Sequence, residues 1–474
     1  PLEAASAAQQ WAVRARGTPA EILAQASEEL LEKAGSTLTP EETRTLEDWS
    51  WMALTDESSE DPVPMLALAR RADLRAQIEA ARALLTECAD PGKLKGEGIR
   101  VSGEGDDVHD LRKDPPRILI DRGGNDRYIA PARATLDHPV SIVIDLGGDD
   151  VYGNGEDRSC ASAQFGVAIL WDKGDGNDQY HSGDGSQGCG IFGVGILIDE
   201  GGRDTYRCKD TGQGAGAWGV GLLLDRGEGN DYFHADLFGQ GFAYVGGFGL
   251  LHNESGHDVY DAGGEHLHYP LFNDRYQSLS QGFSIGMRPH ASGGIGLLID
   301  DAGNDRYLCD IYGQGASYWF AYGALVDSDG NDTYNLGQYG QGGGIHLAVG
   351  CLIDHRGQDS YYNMHGVGTG GAHDFAVGLL IDREGDDYYS GTGGTMGGAL
   401  TNSFALLLDC AGNDGYSAVK GRHVEGGGRA ARGMGSIGLF LDLAGKDLHG
   451  TTTLEAKSWT KETYGAGIDL ADTP

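Results

Sequence analysis

The sequence predicts a mainly β protein, a parallel β-solenoid of about 13 coils of about 27 residues behind a small N-terminal α-helical domain. Three observations lead there. From Gly195 to Asp258 one phrase is repeated: an apolar triplet runs into Asp, a Gly-containing turn delivers a second Asp, and an aromatic follows two residues later. Gln-Gly comes nine residues after that second Asp, and Asp204, Asp231 and Asp258 stand 27 residues apart. A fixed period in the range of about 20–50 residues marks stacked repeats, each burying its apolar face on the next. Finally, 80 of the 474 residues are glycine, where about 7 % is usual, so many positions demand tight turns or close backbone approach.

Residues 1–90 read differently, being rich in Ala, Leu and Glu. Thr18-Pro19-Ala20-Glu21 and Thr39-Pro40-Glu41-Glu42 each place Thr at a helix N-cap, Pro at the first helical position and Glu at the third. A further helix is expected from about Pro64 to Cys88, and another over Ala4 to Arg16. This helical domain serves as a cap, since an open terminal coil exposes apolar core and unpaired strand edge. The solenoid occupies 91–474, opening with a worn copy that has Asp107 and His109 in the Asp and aromatic positions.

From there two Asp columns run along the chain. Their pairs are Asp121/Asp126, Asp145/Asp150, Asp199/Asp204, Asp225/Asp231, Asp300/Asp305, Asp327/Asp332, Asp354/Asp359 and Asp382/Asp387. Asp172/Asp178, Asn253/Asp258, Asp409/Asp414 and Asp442/Asp447 continue the same columns. Each coil divides into three nines, the Asp turn, Gln-Gly and a Gly-containing bend, which fits a triangular coil of three short strands stacked about 4.8 Å apart. Triplets such as Leu222-Leu223-Leu224 are apolar at every residue. Either both strand faces are buried, so the outer face has a cover (a second copy, the helical domain or another partner), or the triplet rounds a corner and points inward throughout.

The turn Asp121-Arg122-Gly123-Gly124-Asn125-Asp126-Arg127-Tyr128 resembles the glycine- and aspartate-rich G-G-x-G-x-D nonapeptide of RTX-type calcium-binding β-rolls. That resemblance implies Ca2+ held between adjacent turns by Asp side chains and turn carbonyls, at the eight Asp pairs named first. It covers about a third of each coil and differs in having one such turn per 27 residues instead of tandem nonapeptides. The physical case is separate: carboxylates stacked about 4.8 Å apart repel, and hard oxygen ligands in a column suit Ca2+. Asp capping backbone N–H groups in tight turns is the competing account.

The Gln column (Gln187, Gln213, Gln240, Gln281, Gln314 and Gln341) reads as a structural amide ladder, and the aromatic column as packing. The repeat breaks between Asp258 and Asp305, giving an insertion over 261–293 with Glu265, His266 and His268 in its first part and Arg288 and His290 in its second. Loops on a rigid scaffold concentrate function, and His-x-His on an extended segment is a half-site for a transition metal. His346 and His373, each fourteen residues after its coil's Asp, read as neutral imidazoles stacked in the coil wall. The seven cysteines match no zinc spacing and read as small buried residues.

A net charge of -36 speaks against nucleic acid or an anionic membrane as partner, and no apolar run is long enough for a membrane span. No leader is visible in this numbering. No nucleophile elbow or Walker motif appears, and the Gly-x-Gly matches are products of the repeat. The expectation is a non-enzymatic extracellular or envelope-associated structural and interaction module, Ca2+-stabilised and partnered by protein or by itself through the triplets' outer face. The alternative is a carbohydrate-binding or carbohydrate-active protein using the 260–293 loops.

Overall fold

A computed structural model describes residues 98–471 apart from 270, 392–395, 419–424, 451, 455–456 and 462–463. The helical domain expected over 1–90 lies outside the described residues. The remainder winds into a parallel β-solenoid of about twelve turns of about 27 residues. Three sheets run its length, of 15, 14 and 11 strands, and each coil contributes one strand to each.

The first sheet carries the apolar triplets. Strand Val220–Asp225 lies between Gly193–Asp199 and Phe248–Asn253, pairing Leu223 with Leu197 and Leu251 and Asp225 with Asp199 and Asn253. The triplet does not turn a corner. Its strand is straight, and burial alternates: Gly221, Leu223 and Asp225 face inward, while Val220, Leu222 and Leu224 face outward and are half-buried. Gly is required at the first inward position because the third sheet's backbone passes against it: a Cβ on Gly221 would sit 2.0 Å from the Ala215 carbonyl oxygen.

The second sheet carries the aromatic column. Tyr128, Tyr152, Tyr180, Tyr206, Phe233 and Tyr260 are fully buried, and neighbouring rings in this run stack at 4.6–5.0 Å with planes within 13°. The coil spacing of about 4.8 Å sets that distance, so in-register rings must lie face on face. Histidines end the stack: His109 lies on Tyr128 and His449 on Tyr416. The third sheet is built from two-residue strands such as Gly216–Ala217 and Ala243–Tyr244.

The Gln column is not an amide-to-amide ladder. Gln213 Nε2 donates to the Tyr206 carbonyl of its own coil at 3.1 Å and to the His234 carbonyl of the next at 2.9 Å, and Gln240, Gln281 and Gln314 repeat the arrangement. Each amide staples two coils through their backbones, leaving its oxygen free of that role. At the C-terminal end the parallel order stops. Strand Lys457–Lys461 runs antiparallel to Gly465–Asp469, and Trp459 closes over Phe440 and His449. Six cysteines lie among the described residues, all free, and five of them are buried.

Candidate metal centre in the aspartate columns

The two Asp columns run inside the rod, between the first and second sheets. Members of both are at most 3 % exposed. The first-column Asp ends a first-sheet strand, so register alone ranks Asp199, Asp225, Asn253 and Asp300 above one another. One carboxylate oxygen closes the turn, as where the Gly227 N–H donates to Asp225 Oδ1 at 3.2 Å. The other accepts a hydrogen bond from the buried tyrosine of the preceding coil: Tyr152 to Asp172 at 2.6 Å, Tyr206 to Asp225 at 2.7 Å, Tyr307 to Asp327 at 2.7 Å. Tyr128 donates to Asp145 in the same way.

The second-column Asp opens the second-sheet strand. Its Oδ1 caps the backbone N–H of the preceding coil's equivalent residue: Asp178 N–H to Asp204 at 2.6 Å, Asp204 N–H to Asp231 at 2.6 Å, Asp305 N–H to Asp332 at 2.6 Å. Backbone capping therefore does occur, and it consumes half of each carboxylate. The other oxygen, Oδ2 of Asp126, Asp150, Asp204, Asp231, Asp305, Asp332, Asp359 and Asp387 among others, is buried without a hydrogen-bond partner.

A buried carboxylate oxygen cannot stay ionised and unpartnered at tolerable cost. Burial pushes the Asp126 carboxyl up to about 6, and burial together with the neighbouring first-column carboxylates takes Asp150 to about 8 and Asp258 to about 9. Asp121 at the first coil goes the other way: burial opposes its charge, but Ser102 and His109, each 2.6 Å away, outweigh that and hold it below the usual range.

One coil shows what the orphaned oxygen accepts. Where the aromatic is Phe233, with no hydroxyl to donate, the first-column residue facing it in the next coil is Asn253. Asn253 Nδ2 then donates to Asp258 Oδ2 at 2.8 Å, and Asp258 Oδ2 is the second-column oxygen that finds a partner. Loss of the hydroxyl and loss of the carboxylate go together, and an N–H fills the gap between the columns. Elsewhere that gap calls for a proton or a cation. Carboxylate oxygens of Asp126, Asp145 and Asp150 lie within 4.8 Å of one another, as do those of Asp150, Asp172 and Asp178. These groups, all hard oxygen donors, can hold a metal ion.

The insertion lies on the second sheet's outer side. Glu265 is exposed, His266 Nε2 stands 3.4 Å from Asp210 Oδ2, and His268 turns away to pack against Phe272 and Tyr312. The two imidazoles of the His-x-His thus go to different neighbours. Arg288 lies over Trp319 and donates to the Tyr318 hydroxyl at 3.0 Å, and His290 is exposed. Beneath the first loop a cleft of about 480 Å³ is lined by His234, Asp261, Arg275, Tyr276, Asp310 and Asn335 among others. Sequence reasoning missed Asp374, which His346 and His373 both approach, and the pairing of Phe233 with Asn253. Both substitutions were visible in their columns, but only the fold shows that they touch.

No protein-family model, curated protein or solved structure matches the chain. Among the described residues no helix is long and apolar enough to cross a membrane.

Proposed function

We propose that this chain is a non-enzymatic structural and interaction module, extracellular or attached to a cell envelope, which pairs with a second copy through its first sheet. The observation that carries this reading is the outer face of that sheet. From Val194 to Leu441 its outward residues are Val, Ile, Leu, Phe, Tyr, Ala and Cys, with His252 the single polar side chain among them. With three outward residues per strand over about ten coils, the face measures roughly 50 by 18 Å, about 900 Å². Two such faces bury about 1,800 Å², within the span of stable specific interfaces, whereas exposed patches on monomers rarely exceed about 600 Å². Flat sheets pack face to face about 10 Å apart, which suits self-complementary files of Leu and Ile.

Ca2+ belongs to this reading as the occupant of the gaps between the Asp columns, in the manner of the RTX-type β-rolls that the turns resemble. An extracellular setting follows from it, because weak all-oxygen sites fill at the free calcium found outside cells.

Light scattering on the full chain tests the pairing: a dimer is expected, converted to monomer by Leu222→Arg with Leu297→Arg. A monomeric full chain whose residues 1–97 cross-link to Leu222 or Leu297 refutes it, the face then being covered from within. A second reading, glycan binding, is favoured by the polar cleft beneath the insertion. Removal of 263–276 then abolishes retention on polysaccharide columns, and unchanged retention dismisses it.

A further inference from the structure

We propose that His346, His373 and Asp374 form a binding site for a divalent transition metal of the zinc class, on the outer corner beside the third sheet and apart from the Asp columns. Register builds the constellation. Ile345 pairs with His373 across adjacent coils, so His346 lies one residue past its partner and Asp374 follows His373 directly. The backbone locks the two corners together: the His346 N–H donates to the His373 carbonyl at 2.9 Å, and the Leu347 N–H to that of Asp374 at 3.0 Å.

The side chains converge on one oxygen. Asp374 Oδ2 lies 3.2 Å from His346 Nδ1 and 3.5 Å from His373 Nδ1, and one donor atom from each residue falls within 4.8 Å of the others. Zinc bonds of about 2.0–2.1 Å in a tetrahedron give edges of about 3.3–3.4 Å, so the observed separations are those of two edges around a common ion. The imidazoles meet edge to face with centroids 5.7 Å apart, which lets two nitrogens address one point without the rings clashing. Two nitrogens and one carboxylate suit Zn2+, Co2+ or Ni2+ and do not suit Ca2+.

The surroundings favour a loaded site. Burial, with help from Arg432, lowers the affinity of both imidazoles for protons, and a metal needs them neutral. Asp374 is only 5 % exposed, and Arg432 Nη1 also reaches its Oδ1, at 3.2 Å, an outer contact that fixes the carboxylate's orientation. The imidazoles are 24 % and 27 % exposed, which leaves the fourth position open to water or a partner's side chain.

The test is a Co2+ titration of the full chain with Ca2+ in excess to occupy the acidic columns. Expected is one equivalent of Co2+ with the intense visible bands of four-coordinate geometry, bleached by Zn2+. His346→Ala and His373→Ala should each weaken binding by more than about tenfold while the metal-free melting curve stays in place. His268→Ala should change nothing. A missing four-coordinate spectrum, or one that persists in the His346→Ala, His373→Ala double variant, overturns the proposal. Should the variants misfold, anomalous scattering at the zinc edge from wild-type crystals decides: density between the two imidazoles supports the site, and density elsewhere refutes it.

Discussion

At the scale of single residues, the fold turns on a tyrosine hydroxyl meeting a carboxylate one coil away. Tyr307 donates to Asp327 at 2.7 Å with both side chains fully buried. Tyr307→Phe leaves a buried carboxylate oxygen without its donor, and the expected loss is about 1–3 kcal/mol in urea unfolding. Adding Asp327→Asn should recover part of it, because the chain already combines Phe233 with Asn253 and satisfies Asp258 by doing so. A double variant less stable than either single one would show that the natural pair is coincidental. This coupling could not be read from spacing. Tyr206 and Asp225 are 19 residues apart in sequence, and nothing in the pattern says which Asp a given tyrosine reaches.

At the scale of elements, the strand of the first sheet does two jobs with alternate residues. Gly, Leu and Asp face the interior, and the residues between them make the apolar outer files. The period placed every one of these residues in its column correctly. Whether the triplet was straight or bent stayed open because Leu-Leu-Leu has no alternation of its own. The decisive signal lay beside the triplet, in a Gly two residues before the central Leu and an Asp two after it. Replacing outward Leu379 by Lys should therefore cost little stability yet weaken association, whereas Lys at inward Leu380 should prevent folding, since it would bury a charge at a fully enclosed position. Equilibrium unfolding and sedimentation of the two variants check this. Equal effects on both would contradict the alternation.

At the scale of the whole molecule, a formal charge of -36 counts every column aspartate as ionised, although the fold encloses them. The sequence showed the columns and their acidity. It did not show their depth, because Asp in a glycine turn ordinarily faces water. Inside the rod each gap between the columns must take up a proton or a cation, and the sign of the pH dependence follows. Carboxyls raised to about 6, 8 and 9 at Asp126, Asp150 and Asp258 bind protons in the folded chain that the unfolded chain, with values near 3.9, has released. Their contribution is complete below about pH 4 and is lost as pH rises through about 6 to 9. Ca2+ requires the ionised form, so its stabilisation grows over the same interval.

The most direct measurement is thermal unfolding from pH 5 to 9, in chelator and in millimolar Ca2+. In chelator the melting temperature should fall as pH rises, and Ca2+ should restore it, most strongly at the alkaline end. A melting temperature that rises with pH in chelator, or is flat and indifferent to Ca2+, would mean that the buried aspartates carry neither proton nor cation.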